Sequence, residues 1–314
     1  MSLSVQLVVI SLTLLLANVN FSEAVRSGRY RRSEPMPMTA EQKQTVVDCH
    51  NELRAGEGAA NMELMTYNET LAELAANKAA LCSLSHHPYE LNYRISLGEN
   101  ICALEYHENP DPRLPILSWF SEKRNFDYDT ATCADMCGHY EQIVWATTLS
   151  VGCAYHNCNT GTRYGDTKFQ LFVCTYWPGG IYAGVKPYMK GPACTKCVTG
   201  AGWCTDGLCN RQCSGPGESC SCAAICYNCA TLDPNTCRCS CADGWQGNYC
   251  TVPCVDGSSC NPEYPKRGWK PKHCNNEWYQ AYVQFVCPAM CDLCTADPDA
   301  VAGQCPPVNG AEKK

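Results

Sequence analysis

Apolar positions in the first 190 residues repeat at helical spacing before they repeat at strand spacing. Thr39-Ala40-Glu41-Gln42 reads as a capping box opening a helix, and Val46, Cys49, His50 and Leu53 follow three or four residues apart. A second helix is expected over residues 68–84, with Leu71, Leu74, Ala75, Leu81 and Cys82 on one face. A third, over 115–123, sets Ile116 with Trp119 and Phe120. Residues 151–156 and 169–176 are dense in β-branched and aromatic residues and read as strands. Helices first and strands later predict an α+β layered domain of about 150 residues.

Past residue 190 the pattern stops. Of the 28 cysteines, 20 fall in this second part, separated by short intervals rich in Gly and Pro. Such a stretch cannot bury enough apolar surface to fold alone, so covalent links must replace a core. Disulfides on this scale need an oxidising compartment. The N-terminus agrees. Residues 5–19, VQLVVISLTLLLANV, are apolar but too short to span a bilayer comfortably, and Ser22-Glu23-Ala24 follows as a cleavage site. Residues 1–24 are therefore expected to be a signal peptide. Arg29-Tyr30-Arg31-Arg32 is the type of basic site that secretory-pathway proteases read, so residues 25–32 are expected to be a propeptide ending at Arg32. Residues 1–32 carry four Arg and one Glu, a net +3, so their loss takes the formal charge from −7 to −10. That acidity excludes nucleic acid and anionic membranes as partners. The expected product is a secreted, extracellular monomer.

Four compact segments stand out in the first part: His50-Asn51-Glu52-Leu53-Arg54, Leu97-Gly98-Glu99-Asn100-Ile101, GHYEQIVWATT at residues 138–148, and LFVCTYWPGGIY at residues 171–182. In that order they resemble the HNxxR motif, the GEN segment and the two signatures of the CAP family of cysteine-rich secretory proteins. The second departs from the family's C-N-Y at Cys174-Thr175-Tyr176, and from its G-N at Gly179-Gly180. The resemblance covers residues 39–190 and implies a three-layer α-β-α sandwich followed by small disulfide-rich modules. Residues 194–212 resemble the family's cysteine-rich hinge. Residues 213–250 end in the C-x-C-x2-G-x2-G-x2-C pattern of an EGF-like module, with Gly244 and Gly247 at the turns. Residues 254–294 close in C-x3-C-x2-C and resemble a sea-anemone-toxin-like (ShKT) module, leaving 295–314 as a tail. The EGF-like stretch holds nine cysteines, so Cys305 is expected to pair back into it. Closing all 28 cysteines predicts fourteen disulfides.

The resemblance also implies a cleft tetrad: His86, Glu99, Glu122 and His139. Local spacing does not show it, since only a fold can bring these residues together. Two neutral imidazoles, His86 and His139, can hold a labile Zn²⁺ with the carboxylates orienting them. The same four groups can equally form a structural network, or serve a metal-dependent endoprotease. The sequence has neither a GxSxG elbow nor HExxH, since His107-Glu108-Asn109-Pro110-Asp111 ends in Asp. His87 is expected to be an exposed neighbour of His86. The CxxC pairs at Cys194/Cys197, Cys226/Cys229 and Cys291/Cys294 are expected to be structural disulfide cysteines.

These readings favour a non-enzymatic secreted protein that binds extracellular or membrane protein targets, with no cofactor required. The likeness of the last module to channel toxins suggests an ion-channel modulator or venom component. Its Tyr282 sits at the toxins' Tyr position, but Ala281 occupies the Lys position. Trp278, Tyr279 and Tyr282 are candidates for a contact surface, and Phe285 for the module's small core. A sterol or fatty-acid carrier is the other alternative that the resemblance allows. Asn68-Glu69-Thr70 is the expected glycosylation site.

Overall fold

Thr39 caps the first helix as its sequence requires. Its hydroxyl accepts from the Gln42 N–H at 3.1 Å and the Gln42 side chain accepts from the Thr39 N–H at 2.9 Å, opening α1 (Ala40–Ala55). The computed structural model describes residues 34–86, 97–158, 168–215, 220–260, 268–276 and 280–304, without the side chains of Ser258, Ala281, Tyr282 and Phe285. The signal and propeptide segments with Arg32, together with His87, Trp278, Tyr279 and residues 305–314 of the tail with Cys305, lie outside the described residues.

The sheet of the first part runs β1 (Glu34–Met36), β6 (Ser150–Cys158), β7 (Phe169–Trp177), β3 (Gly98–Glu105), with β2 (Thr66–Tyr67) parallel to β6. β7 is buried along both faces, as a central strand must be when helices cover each side. On one face Leu171 and Val173 meet Ala75 and Ala79 of α2 (Glu69–Ala79). On the other, Phe172, Cys174 and Tyr176 pack with Val46 and Cys49 of α1, Ile116 and Trp119 of α3 (Arg113–Phe120), and Tyr140 and Ile143 of α4 (Gly138–Ile143). These are the three layers of an α-β-α sandwich. Gly152 of β6 permits the closeness of α2, because a Cβ there would overlap the backbone of Asn68 and Ala72.

The second helix stops earlier than its apolar pattern predicts. After Ala79 the chain turns, Cys82 takes φ +48° to reach Cys158, and Leu81 points outward at 60% exposure. Closing that cystine outweighs continuing the apolar stripe. The third helix begins two residues early and tightens into a 3-10 turn, Ser121–Asn125, that carries Glu122.

Beyond the sandwich, β8 (Trp203–Thr205) pairs with β9 (Leu208–Cys209) and with β10 (Ser221–Cys222), so one small sheet runs from the hinge into the EGF-like stretch. The hinge also belongs to the first core. Leu208 is 1% exposed inside the α1 layer, and the Met62–Leu64 segment exchanges backbone bonds with Cys209 at 2.7 and 2.8 Å. In the EGF-like stretch Cys222, Cys226, Cys237, Cys239, Cys241 and Cys250 pair first with third, second with fourth, fifth with sixth. Gly244 and Gly247 both take positive φ there, as expected. The last module pairs Cys254–Cys294, Cys260–Cys287 and Cys274–Cys291 around Val283 of α5 (Gln280–Val286). Cys229 is also disulfide-bonded.

The expectation of fourteen disulfides is corrected: Cys49 and Cys102 are free thiols. Cys49 of α1 is part of the apolar core on that face of the sheet, Cys102 of β3 packs against it, and both serve as small hydrophobes. Burial pushes the Cys49 thiol up to about 11, and burial raises Cys102 as well, so neither is an activated nucleophile.

Candidate functional site

All four motif segments meet in one buried hydrogen-bond chain. His50 of α1 donates from Nδ1 to the Val46 carbonyl at 2.7 Å, and its Nε2 accepts from the Tyr176 hydroxyl of β7 at 3.0 Å. Full burial lowers the imidazole to about 4, so it stays neutral and can accept there. Asn100 of β3 donates to the same Tyr176 oxygen at 3.3 Å and to the His139 carbonyl of α4 at 3.1 Å. The HNxxR, GEN, GHYEQ and C-T-Y segments are thus wired to one another between the sheet and the helix layer of α1 and α4.

Glu122 and His139 form the better-buried half of the cleft tetrad. Glu122 Oε1 accepts from His139 Nδ1 at 2.7 Å, while Oε2 accepts the backbone N–H groups of His139 at 3.1 Å and Tyr140 at 3.4 Å. One carboxylate therefore caps α4 and fixes the His139 tautomer. Trp119 stacks on the imidazole, with ring centroids 5.7 Å apart. The other half is looser. His86 Nδ1 lies 3.0 Å from Glu99 Oε1, with the His86 side chain 67% exposed and Glu99 4%. Asn100, the neighbour of Glu99, links the halves through its bond to the His139 carbonyl.

The tetrad is two His–Glu pairs, not one compact cage. Among the described residues, the one trio of His, Cys, Asp or Glu ligand atoms within 4.8 Å of one another is Cys194, Cys197 and Cys209. Those sulfurs are spent in the Cys194–Cys204 and Cys197–Cys209 disulfides, which leaves no thiolate for a metal. What the tetrad does offer is two imidazoles held through Nδ1, which leaves Nε2 as the ligand atom on His86 and on His139. Beside it runs an apolar strip. Trp177, Ile181, Tyr182 and Val185 are between 42% and 52% exposed, and Ile181 reaches within 3.9 Å of a Cβ position on Gly138. Asn68 is the N-cap of α2, its Oδ1 accepting from the Leu71 N–H at 3.1 Å.

A model of the "CAP: Cysteine-rich secretory protein family" matches residues 47–176, the stretch that supplies this hydrogen-bond chain. GLIPR1-like protein 1 of Mus musculus is 36% identical over 171 residues, covering 52% of this chain and 70% of the relative. The chain belongs to the cysteine-rich secretory protein (CAP) family. Two other relatives are spanned over less than half their length. Cysteine-rich secretory protein LCCL domain-containing 2 of Homo sapiens is 34% identical over 63% of this chain and 43% of the relative. Peptidase inhibitor 16 of Mus musculus is 36% identical over 55% of this chain and 34% of the relative. The solved structure titled "Crystal Structure of Na-ASP-1" superposes with a TM-score of 0.46 at 26% identity, covering 58% of this chain and 52% of that one.

Two residues that organise this CAP site were not singled out from the sequence. Arg54, fully buried, donates to the carbonyls of Glu63, Ile143, Trp145, Ala146 and Thr148, which fixes the chain leaving α4 behind His139. Burial lowers its guanidinium to about 9, and the carbonyl dipoles around it replace water. The HNxxR motif contains this residue, but the motif names no partner for it. Glu57 has no sequence signal at all. Its buried carboxylate accepts from Lys123 Nζ at 2.8 Å, Tyr188 Oη at 2.7 Å and Tyr140 Oη at 3.2 Å, tying the turn of Glu122 to the segment that follows β7.

No helix among the described residues is long and apolar enough to cross a membrane. The twelve cystines between described residues fit an oxidising, extracellular compartment.

Proposed function

We propose that the protein is a secreted, non-enzymatic binding protein whose CAP domain is a rigid platform for the disulfide-built modules behind it. Its target is an extracellular or membrane protein. The observation that carries this reading is the joint at Glu63. This fully buried carboxylate accepts from Arg211 Nε at 2.8 Å and from the Val198 N–H at 3.2 Å, beside the Leu208 side chain in the CAP core. A joint of that kind holds a module in one orientation, and pre-orientation lowers the entropic cost of binding. The apolar strip at Trp177–Val185 adds exposed contact area of the sort that protein partners cover. An ion channel is the membrane target that the toxin-like last module favours, in venom or another secretion.

The test is binding of the labelled full-length protein to intact cells, before and after the cells' surface proteins are trimmed with trypsin. Saturable binding lost on trimming is expected. Binding that survives trimming, or never saturates, overturns a protein target and directs attention to lipid. Whole-cell currents recorded with the full chain then decide the channel reading; unchanged currents remove it.

A second reading rests on the two Nδ1–carboxylate bonds: His86 and His139 hold a labile Zn²⁺ through Nε2. Calorimetric titration with zinc is expected to show weak binding that His139→Ala abolishes. A zinc isotherm unchanged in that variant ends the reading. Cleavage of a peptide library that depends on both zinc and His139 would favour the endoprotease instead.

A further inference from the structure

Between β8–β9 of the hinge and the EGF-like stretch lies a cavity of about 280 Å³, outside the CAP site and the strip beside it. Trp203, Asn210, Arg211, Ser214, Thr236 and Arg238 are among its lining residues. Their free hydrogen-bonding capacity is strongly biased toward donors. Arg211 gives Nε to Glu63 and keeps its two terminal amino groups. Arg238, exposed on β12 (Arg238–Ser240), has no carboxylate partner among the described residues. The nearest acid in the ladder, Asp233 opposite it on β11 (Thr231–Asp233), is spent on the Asn235 N–H at 2.9 Å and the Thr236 hydroxyl at 2.7 Å. Asn210 is spent as well, on the Thr205 hydroxyl and the Gln212 N–H. What remains is two forked guanidinium groups, the Ser214 hydroxyl and the lone pairs of Thr236.

Glu63 offsets Arg211, and no carboxylate is among the cavity's lining residues, in a chain whose formal net charge is −7. Planar guanidinium forks select oxyanions. The volume exceeds what a bare ion needs and falls at the small end of ligand pockets. Trp203 supplies an apolar wall against which a sugar face can lie. The walls are tied by the Cys197–Cys209, Cys213–Cys220 and Cys222–Cys237 disulfides, so the site exists before any ligand arrives.

We propose that this hinge cavity binds a single sugar unit carrying one sulfate or carboxylate group, as found at the ends of extracellular glycans. The anion lies on Arg211 and Arg238, the ring against Trp203, and a sugar hydroxyl on Thr236. The site is independent of the protein target proposed above and gives the platform a second point of attachment.

The full-length secreted protein would be titrated calorimetrically with N-acetylglucosamine 6-sulfate, glucuronic acid, uncharged N-acetylglucosamine and inorganic sulfate. Saturable binding of at least one anionic sugar is expected, with a Kd of about 1 mM or tighter. The uncharged sugar and sulfate alone should bind at least ~10-fold more weakly. The tighter of the two anionic sugars identifies the group recognised. Arg238→Gln should weaken binding by ~10-fold, since a charge-assisted bond is lost at an exposed position with no structural partner. Ser214→Trp, which fills the cavity from its exposed rim, should abolish it. The proposal is overturned by no saturable binding of either anionic sugar, by sulfate or the uncharged sugar binding as tightly, or by affinity unchanged in both variants.

Discussion

The sandwich and the modules behind it solve the same problem with different physics. Between described residues, the sandwich has three disulfides, Cys82–Cys158, Cys133–Cys137 and Cys153–Cys174. Its core is Tyr140, Tyr155, Phe172, Tyr176 and their apolar neighbours, and the hydroxyls of Tyr140 and Tyr176 are buried against Glu57 and His50. Among the described residues from Cys194 to Cys294, two of the three buried clusters are built of cystines, four sulfur-bearing residues in one and three beside Val283 in another, and the third sets Trp203 and Tyr249 around Cys237. One part is stable because its folded state is favourable; the other because its unfolded state has been curtailed. The hinge shows that the division does not fall where the composition changes. It is cysteine-dense, yet Leu208 and the Glu63–Arg211 pair make it part of the sandwich.

The largest effect should come from removing the cross-links. After mild reduction, hydrogen exchange followed by mass spectrometry should find β10 to β14 (Trp245–Gln246 and Val252–Pro253 being the last pair) without protection, while β6 and β7 keep theirs. Protected amides throughout both parts would erase the contrast. Next is Arg54→Ala, which leaves five carbonyl contacts in the sandwich without their donor and should cost about 4 kcal/mol or more. Urea unfolding or secreted yield would report it, and a loss under about 1 kcal/mol would mean that water replaces the guanidinium.

Leu208→Ala sharpens the boundary. A cavity at this buried position should cost about 3 kcal/mol, and the cost should appear in the unfolding of the sandwich although the residue lies beyond position 190. An effect confined to the cysteine-rich modules would return the hinge to them. The pH dependence is of similar size. His50 is a weaker base in the folded chain, about 4 against 6.5, so the unfolded chain takes up the proton first. Its contribution is fully present above pH 6.5 and is lost as the pH falls through 4, a decline of about 3 kcal/mol. Thermal unfolding across that window should show the decline in the native protein and a flatter profile in His50→Gln. Equal slopes would place the acid sensitivity elsewhere.

Much of the layered domain was legible in the residues. The Thr39 capping box, the helical spacing of Val46, Cys49 and His50, and the apolar runs that became β6 and β7 each follow from local periodicity. The tetrad was legible only through family resemblance, because His86 and His139 come from separate elements and nothing local relates them. Leu81 misled, since the cystine from its neighbour Cys82 to the adjoining strand β6 ended its helix. Cys49 and Cys102 misled as well, because cysteine counting treats every thiol as a cross-link, while burial in the apolar layer makes these two ordinary hydrophobes.

By itself the sequence determined the α+β class, the oxidising compartment that its cysteines require, and the four motif segments, all of which depend on neighbours within a few residues or on composition. Only the tertiary structure decided that those segments share one hydrogen-bond chain through Tyr176 and Asn100, that Arg54 holds the turn behind His139, and that the hinge is fused to the sandwich at Glu63. The reason is physical. A buried polar group must be satisfied by whatever partner the fold brings within about 3 Å, and that partner can come from any distance along the chain.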